Sequence, residues 1–508
     1  MSKKLIITFI SLAVLFGHSG WAWSQSWYEC TEIQDWGIQH MANPLPPAEP
    51  LPSHPIFSSL LQTVATKPTL QAVLHLHAGR YAELEKYFQF VAADTSIERQ
   101  YEHYSAFAEA INNTEYAWQG RVEDWVNKTG STYARLYLGI LYQSAAWAAR
   151  GRQYAQKTPK ENFIWMEQRS EKALNLLTPL VQEKTAVATL THQKLAEIYS
   201  SRGVTELAGQ HYDKALATAP RIFALYDSFL TFSLSRWVGD QSTDQANKIF
   251  KLAEKAGLTQ EDLLQLRQIY EYYEFQVSES SDPGAERALL DRHIESNPTF
   301  HNYLRRAYYD QRKQRWGEMI AVTEKMIELR PESGVARYLH GLAHQQLGRA
   351  QQARNHYLIA TAYGNDRAFS NLMYAVLNGS LGFQAKDIRT LVELCRWGSA
   401  MGLPTAAHCL GALYFEAQGL PRDMERSVAW HQVAARGGHS NSQHDLGWIL
   451  YSGKMTHSFP QQAPLFWLKR AAVQEHQFAK RKLEKIGKPV TGIHTWQCKL
   501  KLWYKQKK

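Results

Sequence analysis

Two histidines four residues apart come nearest, in this sequence, to the spacing of a metal site. His340 and His344 stand in the segment HGLAH, and a spacing of four places both imidazoles on one face of a helix. Zinc proteases combine such a pair with a glutamate directly after the first histidine. Here that residue is Gly341. We therefore expect both histidines to pack between helices, and the sequence predicts no bound metal and no cofactor.

Other catalytic patterns are missing from the sequence. It has no glycine-rich phosphate loop, no nucleophile elbow and no repeated His or Cys ligand spacing. Paired carboxylates such as Glu261 and Asp262 fit an exposed helix start, where negative charge is favourable. The sequence thus predicts a protein that is not an enzyme. The alternative is an enzyme whose site lies in the N-terminal helices.

The four cysteines are Cys30, Cys395, Cys409 and Cys498, and four cysteines allow three pairings. Two of them have similar aromatic settings, SWYEC around Cys30 and TWQCKLKLWY around Cys498. We take Cys30 and Cys498 as the disulfide candidate. This bridge requires the two ends of the fold to meet.

The first residues predict export. Lys3 and Lys4 precede LIITFISLAVLFG, an apolar run of 13 residues that is too short to span a bilayer comfortably. Small residues in Ala22–Ser24 then suit a signal peptidase, so we expect cleavage before Gln25. An uncleaved anchor is the alternative. The predicted location is an exported compartment, a bacterial periplasm above all, with no transmembrane segment after cleavage.

Most of the chain has the pattern of amphipathic helices. A proline-rich run, NPLPPAEPLPSHP, predicts an extended and stiff spacer. From Phe57 onward apolar residues recur three and four apart, as in helices. The last residues are basic and include an alternation typical of a strand from Trp496 to Tyr504. The net charge of +10 suits contact with an anionic envelope polymer, although solubility explains it more simply.

Small residues recur at intervals that predict helix hairpins. In LAEIYSSRGVTELAGQHYDKALATAP, Gly203 falls in a turn, Ala208 and Ala215 allow close helix crossing, and Tyr212 fills the gap between them. Ala307 and Gly341 are 34 residues apart. The segment LAEIYSSRGVTELAGQHYDKALATAP closely resembles a tetratricopeptide repeat. The period of that repeat is 34 residues, the spacing of Ala307 and Gly341. The units that end at residues 331 and 365 resemble the same repeat.

The part of the sequence after residue 365 has a second repeat pattern, with longer loops between its predicted helices. Leu410 and Leu446 are 36 residues apart, and Trp430 and Trp467 are 37 apart. With their Gly and Ala-Ala neighbours these units resemble Sel-like repeats, a tetratricopeptide variant. Cysteine-rich members of that family bridge the helices of adjoining repeats. Cys395 and Cys409 do not have that spacing, so the resemblance predicts no bridge between them.

The segment VEDWVNKTGSTYARLYLGILYQSAAWAARG resembles a domain of unknown function found ahead of such repeats in bacterial exported proteins, and this resemblance implies no activity. The sequence therefore predicts six segments: signal peptide 1–24, N-terminal segment with proline-rich linker 25–56, N-terminal helical domain 57–180, tetratricopeptide-like repeats 181–365, Sel-like repeats 366–486 and basic tail 487–508.

The resemblance implies an all-α fold, an α-solenoid of stacked helix hairpins with a strand-like tail, and a binding scaffold with a concave groove. The residues predicted to line that groove are Leu304, Tyr308, Gln311, Arg312, Tyr338, Leu342, Gln345 and Gln346. We expect Tyr308, Arg312 and Tyr338 to contribute to binding and not to folding. Leu304 and Tyr308 replace the Lys and Asn with which chaperone-binding relatives hold a C-terminal carboxylate.

The predicted function is an exported, non-catalytic interaction scaffold that binds a protein or peptide partner in the cell envelope. A factor associated with envelope glycan or polysaccharide is the first alternative, and the enzyme named above is the second. No nucleic-acid partner is predicted.

Overall fold

The computed structural model describes residues 46, 49–51, 66–112, 118–150, 160–234, 242–277, 283–453, 463–473 and 476–487. The regular elements assigned within these ranges are α-helices and one short 3-10 helix, Thr178–Gln182, and none is a strand. This confirms the predicted all-α class. The predicted signal segment, the strand pattern from Trp496 to Tyr504, Cys30 and Cys498 fall outside the described residues.

The helices of the N-terminal part are α1 (Pro68–His77), α2 (Tyr81–Ala92), α3 (Ile97–Asn112), α4 (Gln119–Thr129), α5 (Thr132–Arg150) and α6 (Lys160–Leu177). The central helices are α7 (Ala186–Ser201), α8 (Thr205–Thr218), α9 (Phe223–Phe232), α10 (Ser242–Lys255), α11 (Gln260–Val277), α12 (Pro283–Ser296), α13 (Phe300–Arg312), α14 (Trp316–Leu329), α15 (Gly334–Gln346) and α16 (Ala350–Ala362). The last helices are α17 (Asp366–Asn378), α18 (Ile388–Ala400), α19 (Pro404–Glu416), α20 (Met424–Arg436), α21 (Ser440–Tyr451), α22 (Ala463–Val473) and α23 (Gln477–Lys485).

The chain forms two compact units. The larger consists of Leu45–Arg152 and Trp165–His439, and the smaller of Met1–Pro44, Gln153–Ile164 and Ser440–Lys508. In the larger unit consecutive helices pack as hairpins, most extensively α7 with α8, α15 with α16 and α19 with α20. In the smaller unit α22 packs on both α21 and α23. Stacked helix hairpins were the predicted architecture. The six predicted segment boundaries remain predictions.

The hairpin of α7 and α8 shows how the sequence forms these units. Thr185 caps α7 by accepting a hydrogen bond from the backbone N–H of Val187. Gly203 adopts a φ of 75° in the turn, a conformation that costs glycine little. Ala208 is buried, and since alanine has only a methyl group, α7 and α8 can approach closely. The Tyr212 ring on α8 is buried too and stacks on Phe229 of α9, with the centroids 4.4 Å apart.

The N-terminal helices of the larger unit fold back on its last helices. Helix α1 contacts α18. Lys67 forms an ion pair with Glu332, and the Trp118 ring lies so close to Gly402 that residue 402 has no room for a Cβ. The sequence analysis did not predict this packing, because it joins segments almost 300 residues apart.

A disulfide joins α18 to α19. Cys395 and Cys409 are bonded, with their Cα atoms 6.0 Å apart, and both are buried. The expectation that these two residues are not bridged is wrong. The connection between the antiparallel helices includes Gly402, and each cysteine stands seven residues from it, since 402 − 395 and 409 − 402 are both seven. Residues at equal distances before and after a tight turn face each other across a hairpin. The bridge therefore does not need the cysteine spacing of the cysteine-rich Sel-like proteins.

None of the helices within the described ranges is both long enough and apolar enough to cross a membrane.

Candidate peptide-binding site

The residues predicted to line the groove lie on α13 and α15. Tyr308 is 37% exposed, Arg312, Gln345 and Gln346 are exposed, and Leu304, Gln311 and Leu342 are half-buried. Two of the polar side chains are already engaged. The Arg312 guanidinium lies 2.5 Å from the Glu286 carboxylate, and Gln345 accepts a hydrogen bond from the Tyr357 hydroxyl at 2.6 Å. These contacts leave Tyr308 as the most prominent aromatic among the predicted residues.

Tyr338 does not lie where the sequence analysis expected it. It is only 9% exposed, belongs to the hydrophobic core, and its ring stacks on that of Tyr357 with the centroids 6.1 Å apart. The expectation that Tyr338 affects binding and not folding therefore needs correction. Its position on α15 faces α16 within the same hairpin, so the helix phase assigned from the repeat pattern was off at this residue.

A different set of side chains converges on a single carboxylate. Glu49, in the proline-rich run, is 5% exposed and meets three side chains from consecutive helices: Arg396 on α18, Tyr414 on α19 and Arg426 at the start of α20. The Tyr414 hydroxyl donates to Oε1 of Glu49 at 2.7 Å. The Nε of Arg396 donates to Oε2 at 3.3 Å, and Nη1 of Arg426 lies 3.7 Å from Oε1. We call Arg396, Tyr414 and Arg426 the Glu49 site.

Contacts within the larger unit also orient Arg426 and Tyr414 in the Glu49 site. Asp423 caps α20 by accepting from the backbone N–H of Arg426 at 2.9 Å, and it pairs with the Arg426 guanidinium at 3.3 Å. Arg426 in turn donates to the Tyr414 hydroxyl at 3.0 Å and covers the Tyr414 ring at 5.6 Å from its centroid. Asp423 therefore both starts α20 and orients the Arg426 guanidinium.

The electrostatics favour an anion. A buried carboxylate is costly unless cations and hydrogen-bond donors surround it. Glu49 meets two guanidinium groups and one phenol, which together supply charge and directed donors. Burial, together with the hydrogen bond to the Glu49 carboxylate, raises the pKa of Tyr414, so the phenol stays protonated and able to donate.

The neighbouring proline is held as well. The carbonyl of Pro46 accepts a hydrogen bond from Nη2 of Arg121 at 2.7 Å. Pro46 also borders a small cavity together with Trp118 and Trp430. Pro46 and Glu49, three positions apart in the proline-rich run, both contact the folded part of the larger unit.

The proline-rich run was predicted to be a spacer. At Pro46 and Glu49 it is instead bound to the folded body of the larger unit. The available signal was a glutamate among six prolines, because an acidic residue in an extended segment has no helix to stabilise it. The arginines that meet Glu49 lie about 350 residues away in sequence, so only the fold brings them to it.

The enzyme alternative placed its site in the N-terminal helices. A cavity of about 380 Å³ is found there, lined by Glu85, Thr129, Ser131, Thr132, Tyr133, Glu183, Thr185 and Val187. Both carboxylates already accept hydrogen bonds, Glu85 from the Trp125 indole at 2.6 Å and Glu183 from the Thr132 hydroxyl at 3.3 Å. This lining presents hydroxyl groups and satisfied carboxylates, an arrangement that favours no particular reaction.

The two histidines of HGLAH are buried on α15, as expected for packing residues. The structure adds a third histidine beside them, His356 on α16, which the sequence analysis did not connect with the pair.

No family model matches the sequence, and no curated protein matches it. Among solved structures the chain is similar to a Sel1 repeat protein from Oxalobacter formigenes, with 20% identity over 37% of this chain and 78% of that chain and a TM-score of 0.33. It is also similar to a chain of the Cut9-Hcn1 hetero-tetramer of the APC/C, with 13% identity over 87% of this chain and 95% of that chain and a TM-score of 0.29.

The structure itself shows stacked α-helix hairpins. At these identities and TM-scores the two similarities support no conclusion about what this chain binds. The resemblance of the N-terminal helices to a domain of unknown function stays a prediction.

Proposed function

We propose that this chain is a non-catalytic interaction scaffold whose Glu49 site binds an extended, proline-flanked acidic segment of a protein partner. One observation carries the proposal: the Glu49 carboxylate is buried between Arg396, Tyr414 and Arg426. Repeat proteins of stacked hairpins commonly act as binding scaffolds. Here the chain itself supplies an example of the peptide chemistry that the surface accepts.

The partner competes with the chain's own segment. Because Glu49 is connected to the site by the same chain, its effective concentration is high, and an external peptide must bind better or be present in excess. Weakening the internal contact should therefore strengthen capture of the partner. The proposed ligand is one extended segment with a carboxylate three residues after a proline, the spacing of Pro46 and Glu49.

An exported location belongs to the same proposal. The Cys395–Cys409 disulfide supports it, since structural disulfides persist mainly in oxidising compartments such as the bacterial periplasm. A cell fractionation that found the chain in the cytosol, with both cysteines reduced, would count against this part of the proposal and leave the Glu49 site untouched.

A comparison of two baits tests the function. The first bait is full-length Glu49→Gln, in which the internal carboxylate is neutralised. The second is Glu49→Gln with Arg396→Gln, in which the site is weakened too. We expect the first bait to capture proteins with proline-flanked acidic segments from an envelope extract. The second bait should capture at least about tenfold less of these proteins, a loss of about 1.4 kcal/mol of binding free energy. Equal capture by both baits would rule out the Glu49 site as the binding surface.

A further inference from the structure

Three histidine rings from two antiparallel helices surround one point in the larger unit. His340 and His344 on α15 and His356 on α16 each offer one ring nitrogen, and these three atoms lie within 4.8 Å of one another. The Nε2 atoms of His340 and His344 are 3.0 Å apart. Two nitrogen ligands of a tetrahedral zinc ion are about 3.3 Å apart, because each lies about 2.05 Å from the metal. The present spacing is close to that value.

Gly341 makes this arrangement sterically accessible. A Cβ at residue 341 would lie 2.9 Å from the Tyr357 ring and 3.2 Å from the Ala353 carbonyl of α16. Helix α16 therefore approaches α15 closely, and this approach brings His356 to His340, with ring centroids 4.3 Å apart. In a zinc protease the residue after the first histidine is a glutamate. In this chain that residue is Gly341, so the catalytic base is absent. The small residue also lets α16 lie close enough for His356 to join the pair.

A hydroxyl group fixes the tautomer of the central histidine. The Thr323 hydroxyl on α14 lies 2.7 Å from the Met319 carbonyl and donates to it. The Thr323 oxygen, 2.8 Å from Nδ1 of His340, then accepts the proton of that nitrogen. Nε2 of His340 is left with a lone pair directed at the cluster. Metal-bound histidines usually show this pattern, in which the outer ring nitrogen donates to a fixed acceptor.

The other two rings have unused hydrogen-bonding capacity. Nδ1 of His356 is buried and has no hydrogen-bond partner among the described residues, which is uncommon for a buried polar atom. Nδ1 of His344 also has none, and it is the outer nitrogen of that ring, since Nε2 faces His340.

We propose that His340, His344 and His356 bind one zinc ion, with water in the fourth position. Three neutral imidazoles suit zinc among the common divalent ions, whereas calcium and magnesium prefer oxygen ligands. The ion would join α15 to α16 within one hairpin. The site does not depend on the Glu49 site, which uses α18–α20. This proposal replaces the expectation from the HGLAH pair alone, because the third ligand comes from the fold.

Zinc titration of the full-length chain without a histidine tag tests the site. The protein is treated with a chelator, dialysed, and titrated against a zinc indicator dye. We expect one tight zinc per wild-type chain, and affinity at least about tenfold lower for His344→Gln and for His356→Gln. The control is His211→Gln, because His192 and His211 form a histidine pair, with their Nδ1 atoms 2.8 Å apart, that belongs to no three-ligand cluster among the described residues. The control should keep wild-type zinc affinity.

Thr323→Val tests the second layer without touching a ligand. Valine has nearly the same shape as threonine, and Thr323 is fully buried, so the variant is expected to fold. Loss of an outer hydrogen-bond partner typically lowers metal affinity about 10- to 100-fold, and we expect that range here. Absence of stoichiometric zinc in the wild-type chain would overturn the proposal. So would wild-type zinc affinity in any folded variant among Thr323→Val, His344→Gln and His356→Gln.

Discussion

The Tyr414 hydroxyl donates a hydrogen bond to the Glu49 carboxylate across 2.7 Å, although the two residues are 365 positions apart in the chain. This contact joins a proline-rich segment to the last helices of the larger unit. The proposed binding site rests on this contact.

Glu49→Ala should destabilise the larger unit. The change removes the acceptor of the Tyr414 hydroxyl and leaves Arg396 with Glu393 as its remaining carboxylate partner, and hydrogen bonds to charged groups typically contribute about 1.5–3 kcal/mol. We expect the free energy of unfolding in urea to fall by that amount. The control is Glu328→Ala, which removes a carboxylate from the exposed pair with Lys325 and should change stability by less than about 1 kcal/mol. Equal effects of the two changes would contradict the burial of Glu49.

Tyr308→Ala and Tyr338→Ala should behave differently. Tyr308 is 37% exposed, whereas Tyr338 is 9% exposed and stacked on Tyr357. Removal of a buried aromatic ring typically costs about 3–5 kcal/mol, so the melting temperature should fall strongly only for Tyr338→Ala. Similar melting temperatures for both variants would show that the assignment of Tyr338 to the core is mistaken.

The hairpins could be predicted and the contacts between distant segments could not. Gly203 and Ala208 predicted the hairpin of α7 and α8, because helix packing depends on the local spacing of small and large residues. Tyr338 was misplaced because a small error in helix phase moves a residue from one face to the next. The Glu49 site and His356 were missed for another reason. Their partners lie on other helices, and a single sequence does not reveal which helices meet.

The double change Cys395→Ser, Cys409→Ser should lower stability. The bonded cysteines are 14 residues apart, and a loop of that size is expected to contribute about 3 kcal/mol by restricting the unfolded chain. Urea unfolding of the oxidised wild type and of the variant provides the comparison. If the two curves coincide while peptide mapping confirms the bridge in the wild type, the disulfide adds nothing to stability.

Acid should destabilise the chelator-treated protein from about pH 6.5 downward. Burial, with a contribution from Arg121, lowers the pKa of His77 to about 3, and burial, with a contribution from His211, lowers that of His192 to about 4. The ordinary value is 6.5, so between these limits the unfolded chain binds more protons than the folded chain. The stability is complete above about pH 6.5 and falls as the pH drops toward 4 and 3.

Two histidine variants test this pH dependence of folding stability. His77→Phe should reduce the loss of stability between pH 6.5 and 4, because phenylalanine does not titrate. His103→Gln changes an exposed histidine and should leave the slope as it is. A His77→Phe slope identical to that of the wild type would mean that His77 is protonated in the folded state.

The affinity of a labelled peptide most directly tests the Glu49 site as a binding surface. The peptide NPLPPAEPLPSHP and a second version with glutamine in place of its glutamate are titrated with full-length Glu49→Gln by fluorescence anisotropy. The account predicts that the glutamate peptide binds at least about tenfold more tightly than the glutamine peptide, and that adding Arg396→Gln removes this preference. Equal affinities for the two peptides, or a preference that survives Arg396→Gln, would contradict it.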